Sequence, residues 1–183
     1  DSHINLNLAF LLKMKKIFTL CFFIILFINN CAVNNSRNRL FQSFYMGNGI
    51  TQYFIKELTF NNDNNSLLLD ITVQMKKEDS NNAIVNFTLQ GKENINQVDS
   101  AIIVQQGKKL ILTNIVPLFN EKIKNNFKSR YTSNINANDL FIFFQDPLWS
   151  IHITSRGKKY VYTTPKKTIK SIQYIHSNVF EIY

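Results

Sequence analysis

The sequence predicts a mainly β domain, an antiparallel β-sandwich or curved sheet of about seven strands with a C-terminal helix, over residues 49–183. Three observations predict it. Apolar and polar side chains alternate through several short segments, and alternation with a period of two is the pattern of a half-buried strand. Clusters of turn-forming residues separate those segments. One late segment instead places isoleucines three residues apart behind a threonine–proline helix start.

The elements follow in order. Ile50–Phe60 is the first candidate strand. Leu67, Leu69, Ile71, Val73 and Met75 then alternate with Asp70, Thr72 and Gln74. Ala83, Val85, Phe87 and Leu89 repeat the pattern, and the charged link Lys76–Asn82 makes the pair a hairpin. Ala101–Val104 and Leu110–Ile115 are joined around Gly107. Phe127–Ile135 alternates Phe127, Ser129, Tyr131, Ser133 and Ile135, giving a strand with one small-residue face. Trp149–Thr154 and Tyr160–Thr164 flank the turn Ser155-Arg156-Gly157-Lys158; Trp149, Ile151 and Ile153 share one face, His152 and Thr154 the other. A short helix over Leu140–Phe144 starts from Asn138 or Asp139 as cap and stops before Pro147. The terminal helix takes Thr164 as N-cap and Pro165 as its first residue, with Ile169, Ile172 and Ile175 along one side. Its β-branched residues lower its propensity.

Composition supports one folded domain plus a leader. A hydrophobic fraction of 45% with only five Gly and three Pro excludes a disordered or low-complexity chain. Asn occurs 25 times, often in pairs such as Asn61–Asn62 and Asn64–Asn65, and these pairs mark loops because Asn tolerates turns and left-handed backbone. The formal charge is +9; residues 1–30 carry Lys13, Lys15 and Lys16 against Asp1, so +7 belongs to the chain from Cys31 onward. Such an excess suits an anionic partner, or simply a basic domain with solvated lysines.

Met14-Lys15-Lys16 opens a different kind of segment. Two lysines precede the 12-residue apolar run Ile17–Ile28, which ends in Asn29-Asn30-Cys31. A charged start, a short apolar core and a polar exit make an export signal. The run is too short to cross a bilayer, which takes about 20 apolar residues. Residues 1–13 precede the natural start and are read as a non-native upstream extension.

The end of this segment resembles the signal of bacterial lipoproteins, in which an apolar residue stands three before a cysteine that receives diacylglycerol after the signal is cut away. Ile28 matches the apolar position and Cys31 the lipidated one; Asn30 departs from the usual small residue. The resemblance covers residues 14–31 and implies a chain tethered to a membrane from Cys31, with residues 31–48 holding the lipidated Cys and a flexible tether. Ala32, where an Asp would favour inner-membrane retention, implies the periplasmic face of the outer membrane. Cysteine usage agrees. Cys21 leaves with the signal, and the lone Cys31 left in an oxidising compartment is protected if lipid caps it. An uncleaved anchor, or cleavage elsewhere with Cys31 incidental, is the competing reading.

Chemistry is sparse. His152 and His176 lie on different elements without partners at metal-ligand spacing, so no metal or cofactor is expected. The carboxylates fall mostly on turns and strand exteriors. Met46-Gly47-Asn48-Gly49 lacks both the third glycine and the βαβ setting of a phosphate loop; it is read as ending the tether. Trp149, Tyr160 and Tyr162 form a candidate aromatic binding patch if exposed, and core if buried. Lys158, Lys159, Lys166, Lys167 and Lys170 are the candidate contact for an anion. The sequence therefore points to an envelope lipoprotein that binds another protein without catalysis. The alternative is a carrier or sensor holding a lipid, glycan or other small ligand between its sheets. Nucleic acid is not an expected partner outside the cytoplasm.

Overall fold

The computed structural model describes residues 40–63, 65–76 and 82–181. The signal segment, Cys31, the tether up to residue 39 and residues 77–81 of the Lys76–Asn82 link lie outside the described residues.

Nine strands form one antiparallel sheet: β1 (Phe41–Gly47), β2 (Ile50–Asn62), β3 (Asn65–Lys76), β4 (Asn82–Gly91), β5 (Ser100–Gln105), β6 (Lys108–Ile123), β7 (Asn126–Asn136), β8 (Ser150–Ser155) and β9 (Lys158–Thr163). Helix α1 (Ala137–Phe144) follows β7. Helix α2 (Lys166–Ile175) follows β9 and runs into a π-helical turn, His176–Phe180. The spatial order is β1-β2-β3-β4-β7-β6-β5-β8-β9, and β9 pairs back onto β2. Eight strands therefore close a barrel, with β1 added outside the ring.

This corrects the expected sandwich: the strands form one antiparallel sheet that curves until it closes. Alternation specifies one buried face per strand, and a sandwich and a barrel both satisfy it. What distinguishes them here is a pairing between Asn61 and Thr163, 102 residues apart. Residues 41–47 also differ from expectation. They lie in the stretch read as tether, yet they pair with β2 from Phe41↔Ile55 to Gly47↔Ile50. The Gly-rich segment makes that hairpin turn, with Asn48 and Gly49 both at positive φ (51° and 74°). Gln106-Gly107 and Arg156-Gly157 make the same kind of turn, whose backbone twist matches that of the flanking strands.

The inward residues fill the barrel. Leu67, Leu69, Ile71, Val73 and Met75 of β3 are buried, as are Ala83, Val85, Phe87 and Leu89 of β4, Ile103 of β5, Tyr131 of β7 and Ile151 and Ile153 of β8. Phe87 and Tyr131 stack at 5.3 Å inside. Each such Val, Leu, Ile or Phe contributes about 1.5–3 kcal/mol by leaving water. A barrel that spans a membrane has the reverse pattern, an apolar band outside and a polar interior.

Both ends are stoppered. At one end, the loop 92–99 inserts Ile95, and the Tyr131 hydroxyl donates to the Ile95 carbonyl at 2.8 Å. At the other, α1 buries Ala137, Leu140, Phe143 and Phe144. Its N-cap is Asn136, whose side chain accepts from the Asn138 N–H, rather than Asn138 or Asp139. The last carbonyls of α1 need donors. The Trp149 indole N–H supplies Phe143 O and Asp146 O at 2.6 and 2.7 Å, and the buried Gln105 amide donates to the same two. Helix α2 starts one residue later than expected, with Pro165 at the N-cap. The Thr164 hydroxyl is used elsewhere: it donates to the Trp149 carbonyl and accepts from the Trp149 N–H.

Candidate functional site

The residues singled out in the sequence separate into distinct places. Trp149, Tyr160 and Tyr162 are all buried, so they form core and not a surface patch. Trp149 stacks on Phe60 at 6.1 Å and meets Phe144 edge-on at 4.9 Å. Burial pushes the Tyr162 phenol well up from its ordinary pKa, and its oxygen is the one buried side-chain polar atom without a hydrogen-bond partner among the described residues.

The five lysines are all exposed, but they fall into two groups at opposite ends of β9. Lys158 grips Glu93 of the capping loop at 2.7 Å, and the Tyr160 hydroxyl donates to the same carboxylate at 2.6 Å. Those two donors hold the Glu93 carboxyl below its usual range, and the Glu93 carboxylate in turn holds Lys158 above its own. Lys158 therefore fastens the stopper loop. Lys166, Lys167 and Lys170 stand on α2, beyond the far end of the strand. Lys159 lies on the outer face near His152, one strand over.

His152 sits between Ile102 and Val161 in the outward row of β5, β8 and β9. Partial burial, then the charges of Lys159 and Lys109, lower its pKa; its Nε2 lies 3.0 Å from the Ser150 hydroxyl. His176 meets Glu181 at 3.2 Å beyond α2. No three His, Cys, Asp or Glu side chains among the described residues converge as a metal cage.

Two surface features were not legible beforehand. The first is an open groove of about 620 Å³ on the outside of β2 and β3, lined by Gln42, Phe54, Lys56, Glu57, Asp70 and Arg130 among others. A bulge between Ile55 and Leu58 opens it. On its floor Arg130 bridges two strands, donating to Asp70 at 2.6 Å and to the Thr88 hydroxyl at 2.8 Å, while the Asn86 amide donates to the other Asp70 oxygen at 2.9 Å. Those groups satisfy one another, so the groove floor is a closed polar network.

The second is the long strand β6. Up to Leu112 it is paired with β5; from Thr113 on it pairs only with β7. Two bulges, between Thr113 and Val116 and between Pro117 and Phe119, each add one residue. They keep Ile111, Val116, Phe119 and Ile123 on the outward face despite their uneven spacing. All four are exposed, as is Leu118. Pro117 and the bulges blunt the open edge against indiscriminate strand pairing. Lys128 lies over the Phe119 ring at 5.7 Å and stands opposite Glu121 on the same face, so the row is rimmed with charge. The outward face reads Ile111, Thr113, Val116, Phe119, Glu121 and Ile123, and exposed apolar side chains interspersed with polar groups are what a partner surface requires. In the closed ring, β6 stands four strands from β2 in either direction.

The fold and this surface together define a small antiparallel barrel with a filled interior, stoppered ends and one long exposed apolar strand. No protein-family model matches the chain, and no curated protein or solved structure matches it.

Proposed function

We propose that this chain is a lipid-anchored protein of the cell envelope, tethered through Cys31, whose barrel serves as a non-catalytic protein-binding module. The observation that carries the anchor is the segment Met14–Cys31, with its two lysines, apolar run and terminal cysteine. Two or more acyl chains hold a protein stably on a bilayer, whereas one binds marginally. Ala32 after the cysteine favours the periplasmic face of the outer membrane. What favours a binding module is the exposed row on β6, set on a barrel whose interior is already occupied by its own side chains. That packing weighs against the alternative of a ligand carried inside. The partner would lie along β6, meeting Val116, Phe119 and Ile123 and pairing with the strand edge left open after Leu112.

The test is metabolic labelling with a fatty-acid probe in cells producing the native chain or Cys31→Ser. Label on the native chain alone is expected; equal label on both overturns the anchor. For the module, a photoreactive residue at Phe119 is expected to cross-link a protein in intact envelopes, and one at the outward position Asn86 is not. Identical products from the two positions overturn the assignment to β6.

A further inference from the structure

We infer that the β1–β2 hairpin is where the barrel touches the membrane, its tip resting in the interfacial layer of an anionic bilayer. The inference rests on the tethered reading for its orientation, and it concerns residues that the anchor itself does not involve.

Strand β1 is not needed to close the barrel, since the ring is complete from β2 to β9. It nevertheless carries the most exposed run of large apolar side chains in the described residues. Phe44 is 52% exposed, Tyr45 72% and Met46 59%, three in succession, with Phe54 at 39% beneath them on β2. Phe44 and Phe54 meet edge-to-face at 5.7 Å, making one aromatic step. The Tyr45 hydroxyl accepts the Gly49 N–H at 3.2 Å, which holds its ring over the turn. Aromatic side chains with a polar tip favour the membrane–water interface, where one end is apolar and the other wet.

Charge selects the kind of bilayer. Lys76 of β3 stands opposite Ile50 beside the turn, and residues 40–56, which include the whole tip, contain Lys56 and no Asp or Glu. Basic residues beside exposed apolar ones are the signature of attraction to anionic headgroups. Chain length selects the location. Nine residues, 32–40, separate Cys31 from β1, and the ten steps to Phe41 at about 3.3–3.6 Å each span at most about 36 Å. That exceeds the six steps along β1 from Phe41 to Gly47, so an anchor at Cys31 leaves the tip within reach of the headgroups. Seating it there turns β6, on the opposite side of the ring, away from the lipid and toward partners.

Vesicle flotation tests the contact without the anchor. The whole barrel and both stoppers lie within the unit Arg39–Tyr183, so a chain beginning at residue 31 with Cys31→Ser retains the complete core. This chain is expected to float with vesicles of phosphatidylglycerol and phosphatidylethanolamine and not with phosphatidylcholine alone. The triple variant Phe44→Ser/Tyr45→Ser/Met46→Ser is expected to lower the bound fraction roughly tenfold, because that apolar area no longer enters the interface. The double variant Phe44→Ser/Met46→Ser keeps the Tyr45 contact with the turn and is expected to show most of that loss with an unchanged melting curve. Flotation of the triple variant equal to the parent overturns the inference, and so does a parent that ignores anionic vesicles. A parent that dimerises through these side chains without binding vesicles overturns it in favour of a second copy. Because no acyl chain is present, this result and fatty-acid labelling at Cys31 can fail independently.

Discussion

Two stretches of the barrel wall lack a full strand-to-strand ladder, and they are finished in opposite ways. At the seam, β2 and β9 share one residue pair, Asn61↔Thr163, and side chains complete the join. The Asn62 amide donates to Val161 O at 2.8 Å, and the Thr168 hydroxyl of α2 donates to Thr59 O at 2.6 Å. Leu58, Phe60, Trp149 and Ile172 lie buried there, so the backbone groups that β9 is too short to pair are covered by a helix. Along β6 beyond Leu112 one edge has no strand either, yet no helix covers it and its apolar residues face water. A buried polar backbone group must find a partner, whereas an exposed one is served by water. The seam is therefore a structural necessity. In the open half of β6, Ile115 packs against the core while Val116, Phe119 and Ile123 on the outward face pack against nothing buried, which is why the partner surface is placed there.

Substitutions sharpen this contrast. Trp149→Ala removes the side chain that joins Phe60, Phe144 and the end of α1, and is expected to cost about 3–5 kcal/mol in denaturant unfolding, as large-to-small core changes do. Thr168→Val leaves the Thr59 carbonyl without its donor and is expected to cost about 1–3 kcal/mol, with Thr168→Ser restoring much of it. If Thr168→Val proves neutral, the helix does not seal the seam by this bond. Tyr162→Phe, on the seam strand, deletes a buried hydroxyl that has no hydrogen-bond partner, so an unfolding free energy unchanged or raised by up to about 1–2 kcal/mol is expected. A clear loss would mean that the hydroxyl is satisfied in solution.

His152 supplies a pH test on the outer face near the seam. Its folded pKa lies below the ordinary 6.5, so the unfolded chain takes up the proton first. Its contribution is therefore undiminished above about 6.5 and turns destabilising as pH falls through the lowered folded value. The Tm of the native chain is expected to fall more between pH 7.5 and 5 than that of His152→Gln; parallel curves would contradict the shift. The smallest stability effect belongs to β6. Phe119→Ser and Ile123→Ser are expected to change unfolding by no more than about 0.5 kcal/mol, and Ile123→Ser in the chain carrying the photoreactive residue at position 119 is expected to abolish the cross-linked product. Loss of several kcal/mol would make β6 core.

Much of the strand content was legible. Alternation located β3, β4 and the inward face of β8, while Gly107 marked the β5–β6 hairpin and Arg156-Gly157 the β8–β9 hairpin, because local backbone geometry and one-sided burial are written residue by residue. Closure was not legible, since the Asn61↔Thr163 pair leaves no trace in either strand's own pattern. Strand β6 was foreseen only to Ile115, because Asn114 at positive φ and Pro117 break the period at the two bulges. Strand β1 was missed because both of its faces are largely exposed, so FQSFYMG shows no alternation. The lysines read as one patch because sequence proximity ignores that β9 separates them. The apolar residues Ile115, Val116, Leu118, Phe119 and Ile123, which follow neither the strand nor the helix period, were the available sign of an exposed strand.

Intact-mass measurement of the mature protein taken from native membranes bears most directly on the account. A polypeptide starting at Cys31, heavier by a diacylglycerol group on sulfur, is the predicted species. A polypeptide with any other first residue and an unmodified thiol at position 31 contradicts it.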